Sequence, residues 1–245
     1  MTGRRFVALI AKDKASRLAW ERERASTLAG MKGFEKQIVG RRLALVAEVG
    51  AALAVGSEGF VIGPVFARGQ ANALPTIDAD TARSMVTSRG DWLIRAHWGD
   101  YVALLAACDR DNIEIVRAPL GDLGCYFLPS PHGLFVASDV DLLTGLAEFV
   151  PEIDWSALAQ HLVAADLCRR DTCLRQLEEL SGGERITDIA GLWTIDRPWQ
   201  IWDFVDARKR LTDPAEAVRR VRDAVQMAVA ARADAHGKIV LRLSG

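Results

Sequence analysis

Short apolar runs alternate most densely with turn residues between Trp98 and Leu143. Four runs in this stretch are each bounded by Asp, Asn, Gly or Pro, the residues that end strands and form hairpin turns. The four runs are Tyr101–Ala107, Ile113–Val116, Cys125–Leu128 and Leu134–Ala137. The pattern predicts a meander of buried strands around which the rest of the chain is organised.

Other short apolar runs predict strands on both sides of this meander, because each is bounded by charged residues or glycines. These runs are Phe6–Ala11, Arg42–Val46, Gly59–Val65, Glu184–Ile189 and Lys238–Leu243. The segment from Ala15 to Gly40 is mixed and predicts no regular element.

Helices are predicted where a capping residue precedes apolar residues spaced three and four apart. Asp78 or Asp80 can cap a short helix that ends at Thr87, and Asp213-Pro214 is the clearest helix start, because proline at the first helical position loses no needed hydrogen bond. That last helix spans Ala215–Ala233, and its predicted buried face carries Val218, Val221, Val225 and Ala228.

Three further helices complete the predicted elements. Asp154 can cap a helix whose apolar stripe contains Trp155, Leu158, His161, Leu162 and Ala165. Val140–Phe149 is helical in pattern and is ended by Pro151, and Thr172–Leu180 is ended by Ser181-Gly182-Gly183.

The composition is that of an ordinary globular protein. The chain has 245 residues, half of them hydrophobic, and 31 basic against 32 acidic residues give a net charge of −1. This balance provides no electrostatic footprint for nucleic acid or an anionic membrane. No run reaches the roughly 18 to 20 apolar residues that span a bilayer, so we expect a cytoplasmic protein.

Cysteine, histidine and tryptophan offer candidate chemistry but no complete site. The four cysteines form no CxxC pair, so reduced thiols and no metal site are expected; they are Cys108, Cys125, Cys168 and Cys173. His161 has no second histidine nearby and is interpreted as a packed or capping residue to which no role is assigned. A tryptophan cluster could stack on a ligand, but more often covers apolar surface; its members are Trp193, Trp199 and Trp202.

Several motifs, taken in order, resemble the asparagine synthetase family. Trp98–Ala103 resembles its G-x-F/Y-A segment, Val116–Gly121 its R-D-x-L-G turn, and Phe135–Asp139 its F-A-S-E/D strand end. Downstream, Asp171–Glu184 resembles the segment that leads into a P-P-G-H/E turn, and Leu241–Gly245 resembles the first half of the S-G-G-x-D-S pyrophosphate loop. Within the family, the lasso-peptide cyclases are the nearest in pattern.

The resemblance implies an α+β fold. Residues 1–150 would form a four-layer αββα sandwich of the class II glutamine amidotransferase type, and residues 151–211 a helical, tryptophan-rich connection. Residues 212–245 would begin an α/β ATP-pyrophosphatase domain, of which only the first strand is present. The missing part of that synthetase domain would then be a partner of this chain.

The same resemblance implies that the glutaminase site is lost. The family needs an N-terminal cysteine, whose α-amine activates the thiol, whereas this chain begins Met1-Thr2-Gly3. Alignment on Phe6 places Gly3 at the thiol position, or Thr2 after a slip of one residue. The family's N-G-E turn is replaced by Ile62-Gly63-Pro64, and its H-R-G-P-D segment has no counterpart. Asp80 matches the family's glutamine-binding aspartate, although a helix cap explains it equally well.

Family members without a glutaminase use an amine already present in the substrate. In a lasso-peptide cyclase, an Asp or Glu side chain of the precursor peptide is adenylated and the peptide's own N-terminal amine attacks it. ATP and magnesium would serve the whole enzyme, with Leu243, Ser244 and Gly245 as part of the loop, whereas the 245 residues alone would bind no cofactor. A leader-binding protein and a protease would be further partners.

Three alternatives stay open at this point. One is a glutamine-hydrolysing asparagine synthetase, with Thr2 as the N-terminal nucleophile. A second is a β-lactam-forming relative of the same family. The third is a module that binds a peptide or protein without chemistry.

Overall fold

The computed structural model describes residues 4–107, 111–164, 169–206, 208 and 210–234. Its strands are β1 (Phe6–Ala11), β2 (Phe34–Val39), β3 (Leu43–Glu48), β4 (Ala52–Ala54), β5 (Gly59–Ile62), β6 (Val65–Ala67), β7 (His97–Gly99), β8 (Val102–Ala107), β9 (Asn112–Arg117), β10 (Tyr126–Ser130), β11 (Gly133–Ala137), β12 (Glu178–Glu179), β13 (Arg185–Ile189) and β14 (Leu192–Asp196). Its helices are α1 (Lys14–Glu23), α2 (Ala25–Gly30), α3 (Ala79–Thr87), α4 (Asp91–Ala96), α5 (Val140–Leu146), α6 (Trp155–Val163) and α7 (Pro214–Asp234), with a 3₁₀ turn at Ile201–Phe204.

Two six-stranded antiparallel sheets form the body of the molecule. The first sheet has the order β12-β10-β11-β1-β3-β2, and the second has the order β14-β13-β9-β8-β5-β4. A small ladder joins β6 to β7. Strands β12 to β14 complete the edges of both sheets, so residues beyond 150 belong to the same body as residues before it.

The two sheets pack face to face over a shared core. Phe6 and Leu45 of the first sheet belong to one buried cluster with Leu104 and Ile115 of the second. Helices α1 and α5 cover the outer face of the first sheet, where Trp20 packs on Phe135, and α3 and α4 cover the outer face of the second. The predicted α+β fold with αββα layers is therefore what the described residues adopt.

Burial on both faces explains why the strands read as continuous apolar runs. Every residue of β1 is buried, because one face meets the other sheet and the opposite face meets helices. A strand covered on both sides shows no alternation of polar and apolar residues. The strands predicted within the described residues are confirmed with bounds shifted by a few positions, except that Gly59–Val65 is divided between β5 and β6. The predicted strand Lys238–Leu243 lies outside the described residues.

The predicted meander is wrong as a single sheet. Strands β8 and β9 pair in the second sheet, whereas β10 and β11 pair in the first. The chain changes sheets over residues 118–125, where Pro119 cannot donate a ladder hydrogen bond. The apolar runs predicted the four strands. They did not show that the chain crosses from the second sheet to the first between β9 and β10.

The helix predicted over Thr172–Leu180 is also wrong. The hydroxyl of Thr172 donates to the carbonyl oxygen of Leu177 at 2.7 Å and accepts from the amide of Leu174 at 3.1 Å. Such local side-chain bonds compete with the helical ladder, and Gln176 adopts a left-handed φ of 65°. The segment is therefore an irregular loop that leads into β12. The mixed segment Ala15–Gly40, for which no element was predicted, forms α1, α2 and β2.

Helices α6 and α7 begin where they were predicted. The Asp154 carboxylate accepts from the Ser156 amide at 2.9 Å, and Asp213 accepts from the Ala215 amide at the same distance. Asp78 caps α3, rather than Asp80. Helix α5 is confirmed and ends at Leu146, three residues earlier than predicted.

The predicted buried faces of α6 and α7 are wrong. Trp155 and Leu162 of α6 are largely exposed, and Ala165 lies outside the described residues. On α7, four valines have exposed fractions between 56 and 64%: Val218, Val221, Val225 and Val229. We call these four residues the valine stripe. Near the end of α7, Ala231 is buried and Arg232 pairs with Asp100 of the body.

No helix in the described ranges has the length and apolarity needed to cross a bilayer.

Candidate functional site

An ionic cluster lies beside the start of β1. Asp100, which is only 6% exposed, accepts from Arg4 Nη1 at 3.2 Å on one carboxylate oxygen. Its other oxygen accepts from Arg232 Nη2 at 3.1 Å and from the amide of Asp122 at 3.2 Å. We call this cluster of four residues the mouth. Three donors thus satisfy a nearly buried carboxylate, and two of them are arginines from opposite ends of the chain.

Close backbone packing positions Asp100 in the mouth. Gly63 has φ +91°, and an added Cβ there would lie 2.2 Å from the carbonyl oxygen of Asp100. Gly99 has φ +142°, and a Cβ added there would lie 2.2 Å from the carbonyl oxygen of Pro64. Side chains are excluded at both glycines, so the Ile62-Gly63-Pro64 turn and the Gly99-Asp100 step are held directly against each other.

The residues predicted for catalysis and ATP binding lie outside the described ranges. These are Thr2, Leu243, Ser244 and Gly245, and their roles stay predictions. Ile62, which stands where the resembling family has asparagine, is fully buried in the core between the sheets. Its side chain has no amide group with which to bind a ligand.

Asp80 lies on the exposed surface of α3. Its carboxylate pairs with Arg83 at 3.0 Å, and its amide donates to Asp78 at 3.0 Å. Its proposed contact with glutamine stays a prediction, because no residue of the mouth bonds to it among those the structure describes.

The turn at Arg117–Gly121 has a structural role. Arg117 Nη1 donates to Glu179 Oε1 at 2.7 Å and to the carbonyl oxygen of Leu180 at 2.5 Å, which joins β9 of the second sheet to β12 of the first. A Cβ added to Gly182 would lie 2.3 Å from the carbonyl oxygen of Pro119, so the two turns pack backbone to backbone. The motif therefore ties the two sheets together at the point where the chain crosses between them.

The three tryptophans do not form one binding surface. Trp193 packs edge-on against Phe127 with ring centroids 5.6 Å apart, and Trp199 contacts Gly183 and Phe204. Trp202 is 73% exposed. For Trp193 and Trp199, the interpretation as covers of apolar surface is confirmed.

A large cleft lies beneath α6, against the loop of residues 169–177 and strand β12. We call it the α6 cleft; its cavity volume is about 930 Å³. The lining includes Tyr126 of the first sheet, Cys173 and the exposed His161. Pockets of this size with largely apolar walls and a few polar groups are the usual form of small-ligand sites.

One carboxylate in this cleft has a perturbed acidity. Burial raises the pKa of Glu178, Arg170 opposes that rise, and the charges of Asp171 and Glu184 add to it. Burial likewise raises the pKa of Tyr126. Perturbed groups that face a cleft are candidate functional groups.

Metal chemistry finds no support in the part of the chain that the structure describes. There, no three His, Cys, Asp or Glu side chains are grouped so as to hold a metal ion. Cys125 is fully buried, and burial raises the pKa of its thiol to about 12, which keeps it protonated and inert.

Sequence reasoning missed both the mouth and the α6 cleft. Two features of the sequence could have indicated Asp100. It is a charged residue directly before the buried apolar run that begins at Tyr101, and it follows Gly99, which permits close packing. Glu178 carried no usable signal, because the segment was interpreted as a helix. Arg232 carried no signal either, because its partner Asp100 lies 132 positions away in the sequence.

Comparison with known proteins adds little to this picture. No protein-family model and no curated protein matches the chain. A similar solved structure is described as the structure of the allosteric regulatory enzyme of purine biosynthesis, with a TM-score of 0.44 and 10% identity. The match covers 80% of this chain and 49% of the other, so this chain spans about half the length of that protein. A likeness this weak carries no argument about function.

Proposed function

We propose that this chain is the amidotransferase-like part of an ATP-dependent amide ligase of the asparagine synthetase type, with its glutaminase site erased. The ligase would be a lasso-peptide cyclase. It would adenylate an Asp or Glu side chain of a precursor peptide, and the peptide's own N-terminal amine would attack that group. ATP and magnesium would bind to the rest of the ligase, together with Leu243, Ser244 and Gly245.

The saturated Asp100 carboxylate in the mouth is the observation that carries this proposal. In the resembling family, the nucleophile precedes the first strand, and a substrate amide must reach it. Here Arg4, two residues before β1, is engaged by Asp100, and Asp100 is held in turn by Arg232. Asp100 is nearly buried and its two arginines are partly exposed, so removing either arginine would leave the buried carboxylate with one counter-charge fewer. The arrangement supports a domain that releases no ammonia.

The valine stripe supports the remainder of the proposal. An isolated helix is marginal in water, and most helical stability comes from packing of an apolar face. Helix α7 has such a face, and in the described residues nothing covers it. The ATP-binding domain of the proposed ligase, of which residues 212–245 would be the start, is the occupant that we propose for the stripe.

Glutamine hydrolysis tests the first half. The purified chain, incubated with glutamine, should release no ammonia above the background of a heat-denatured sample, as measured by a coupled glutamate dehydrogenase assay. The matched variant is Thr2→Ala, which removes the remaining candidate nucleophile. Release of ammonia that Thr2→Ala abolishes would instead identify a glutamine-hydrolysing asparagine synthetase.

Two measurements test the ligase half. With ATP, magnesium and a precursor peptide, these 245 residues alone should release no pyrophosphate, because most of the proposed ATP site is not in them. The codons after Gly245 should read Gly-x-Asp-Ser. Pyrophosphate release by this chain, or an unrelated sequence after Gly245, would contradict the proposal.

The valine stripe also favours a second candidate, a module that binds a partner protein without chemistry. Val221→Ser and Val225→Ser would then abolish capture of that partner, whereas the exposed and unrelated Val49→Ser would not. Under the ligase proposal, the same two variants would weaken association with the separately expressed ATP-binding domain.

A further inference from the structure

The α6 cleft shares no lining residue with the mouth. Helix α6 forms one wall and the loop of residues 169–177 forms another, while Tyr126 and strand β12 line the base. Apolar groups dominate the surface of the cleft, among them Ala157, Val163 and Leu174. An apolar stem of a ligand would lose its contact with water against these walls.

Most charged groups of the cleft are already engaged. Asp154 caps α6, and Asp171 pairs with Arg169 at 3.0 Å. Glu179 pairs with Arg117 at 2.7 Å. Arg169 also donates to Gln160 across the cleft wall. These groups hold the walls in place and are not free to bind a ligand.

Glu178 is the exception among the carboxylates. Within the described ranges, no side chain or amide donates a hydrogen bond to its carboxylate. Arg170 is near enough to act on its charge, but donates to Glu184 at 3.1 Å instead. The backbone at Glu178 is held between Phe127 of β10 and an isolated bridge to Asp171. A partly desolvated carboxylate is therefore presented at a fixed position without a direct partner.

We propose that the α6 cleft binds an aliphatic ammonium group, a positively charged amine on an apolar stem, with Glu178 as its counter-ion. A charge-assisted hydrogen bond to a carboxylate is stronger where water is partly excluded. The apolar walls take the stem, and Glu178 takes the head. Arg175, the lining cation that has no ion pair in the described part of the chain, is exposed. Arg170 acts on the charge of Glu178 from outside the lining and is held by Glu184.

The ammonium group could belong to a free amine, a peptide N-terminus or a lysine side chain. The three sources share the same head and differ in what surrounds the stem. The inference rests on the cleft alone and stands whether or not the chain belongs to a ligase.

Cys173 provides a reporter, because its partly exposed thiol lies in the lining. The rate of its alkylation by iodoacetamide, followed by peptide mass spectrometry, should fall when the cleft is occupied. The probes are pentylammonium, Leu-Leu-amide with a free N-terminus, and Nα-acetyl-lysine amide. Their neutral counterparts are pentanol, Nα-acetyl-Leu-Leu-amide and Nα,Nε-diacetyl-lysine amide.

At least one cationic probe should protect Cys173 at about 10 mM, and its neutral counterpart should need at least about tenfold more. Which cationic probe protects best identifies the source of the amine. Equal protection by charged and neutral members of every pair, or no protection by any probe, would overturn the proposal.

Variants test the assigned counter-ion. Glu178→Gln should raise the concentration for half-protection about tenfold, while the conservative Glu178→Asp retains part of the effect. Glu152→Gln is the matched control, because Glu152 is exposed, lies near the loop through a backbone hydrogen bond to Arg175, and does not line the cleft. Unchanged protection in a folded Glu178→Gln protein contradicts the assignment. If that variant does not fold, the comparison of charged and neutral probes on the unmodified chain still decides the proposal.

Discussion

The mouth and the α6 cleft each contain a carboxylate, but the two differ in the hydrogen-bond donors that surround it. In the mouth, Asp100 is nearly buried and accepts from Arg4, Arg232 and the Asp122 amide. In the α6 cleft, Glu178 is partly desolvated, and the described residues supply it with no donor. A satisfied carboxylate stabilises the fold. An unsatisfied one reduces stability, and that cost is relieved when the carboxylate is protonated or when a cation binds.

The largest effect should come from the backbone of the mouth. Gly63→Ala should destabilise the protein by about 3 kcal/mol, because the new Cβ meets the Asp100 carbonyl oxygen and φ is left-handed. Urea unfolding measures the change. Gly56→Ala is the control, since Gly56 also has positive φ but open space around it, and should lose only about 1 kcal/mol. Equal losses at the two positions would mean that close approach does not hold the mouth together.

Removing the buried charge should have the next largest effect. Asp100→Asn should lower the free energy of unfolding by about 2 kcal/mol, because Arg4 and Arg232 lose their shared counter-ion. It should also increase proteolysis near the end of α7, where Arg232 is anchored. Asp122→Asn removes a carboxylate that is 83% exposed and should change stability by less than about 0.5 kcal/mol. An Asp100→Asn protein as stable as the unmodified chain would show that the mouth is not closed by charge.

The smallest effect should have the opposite sign. Glu178→Gln should leave stability unchanged or raise it slightly at pH 7, because it removes a charge that partial burial disfavours, and solvent screening keeps the effect small. Thermal unfolding measured across pH checks this.

The pH dependence follows from the raised pKa of Glu178. The folded state binds this proton more readily than the unfolded state, so the unmodified chain loses stability as pH rises through the window above the ordinary glutamate pKa. The three charged groups that act on Glu178 are Arg170, which lowers its pKa, and Asp171 and Glu184, which raise it. The advantage of Glu178→Gln should therefore vanish below that window. A destabilising effect at pH 7 would mean that Glu178 has an internal partner after all.

The strands and caps were predictable because their signals are local. The fully buried runs of β1, β8 and β11 contain only apolar residues, apart from the glycine that starts β11. Asp154 and Asp213 indicated where α6 and α7 begin, because a capping side chain accepts hydrogen bonds only from amides two or three positions ahead of it. The loop at residues 172–177 was missed because the apolar spacing of this segment favours a helix. The hydrogen bond from the Thr172 hydroxyl to the carbonyl oxygen of Leu177 competes with that helix.

The sites were less predictable than the fold. The spacing of the valines identified the apolar face of α7. It could not show whether anything covers that face, because the spacing describes the helix alone and not the element that would pack on it. The pairing of charges in the mouth could not be predicted, since nothing local relates Asp100 to α7.

By itself the sequence determined that the chain builds buried strands and capped helices, because each of these depends on neighbouring residues. Only the tertiary structure decided that the meander divides between two sheets, that Asp100 is clamped, and that Glu178 faces a cleft. The physical reason is separation along the chain: Arg4 lies 96 positions from Asp100, and Arg232 lies 132 positions away. Charges so distant pair only after both sheets have packed, so their pairing is a consequence of the fold.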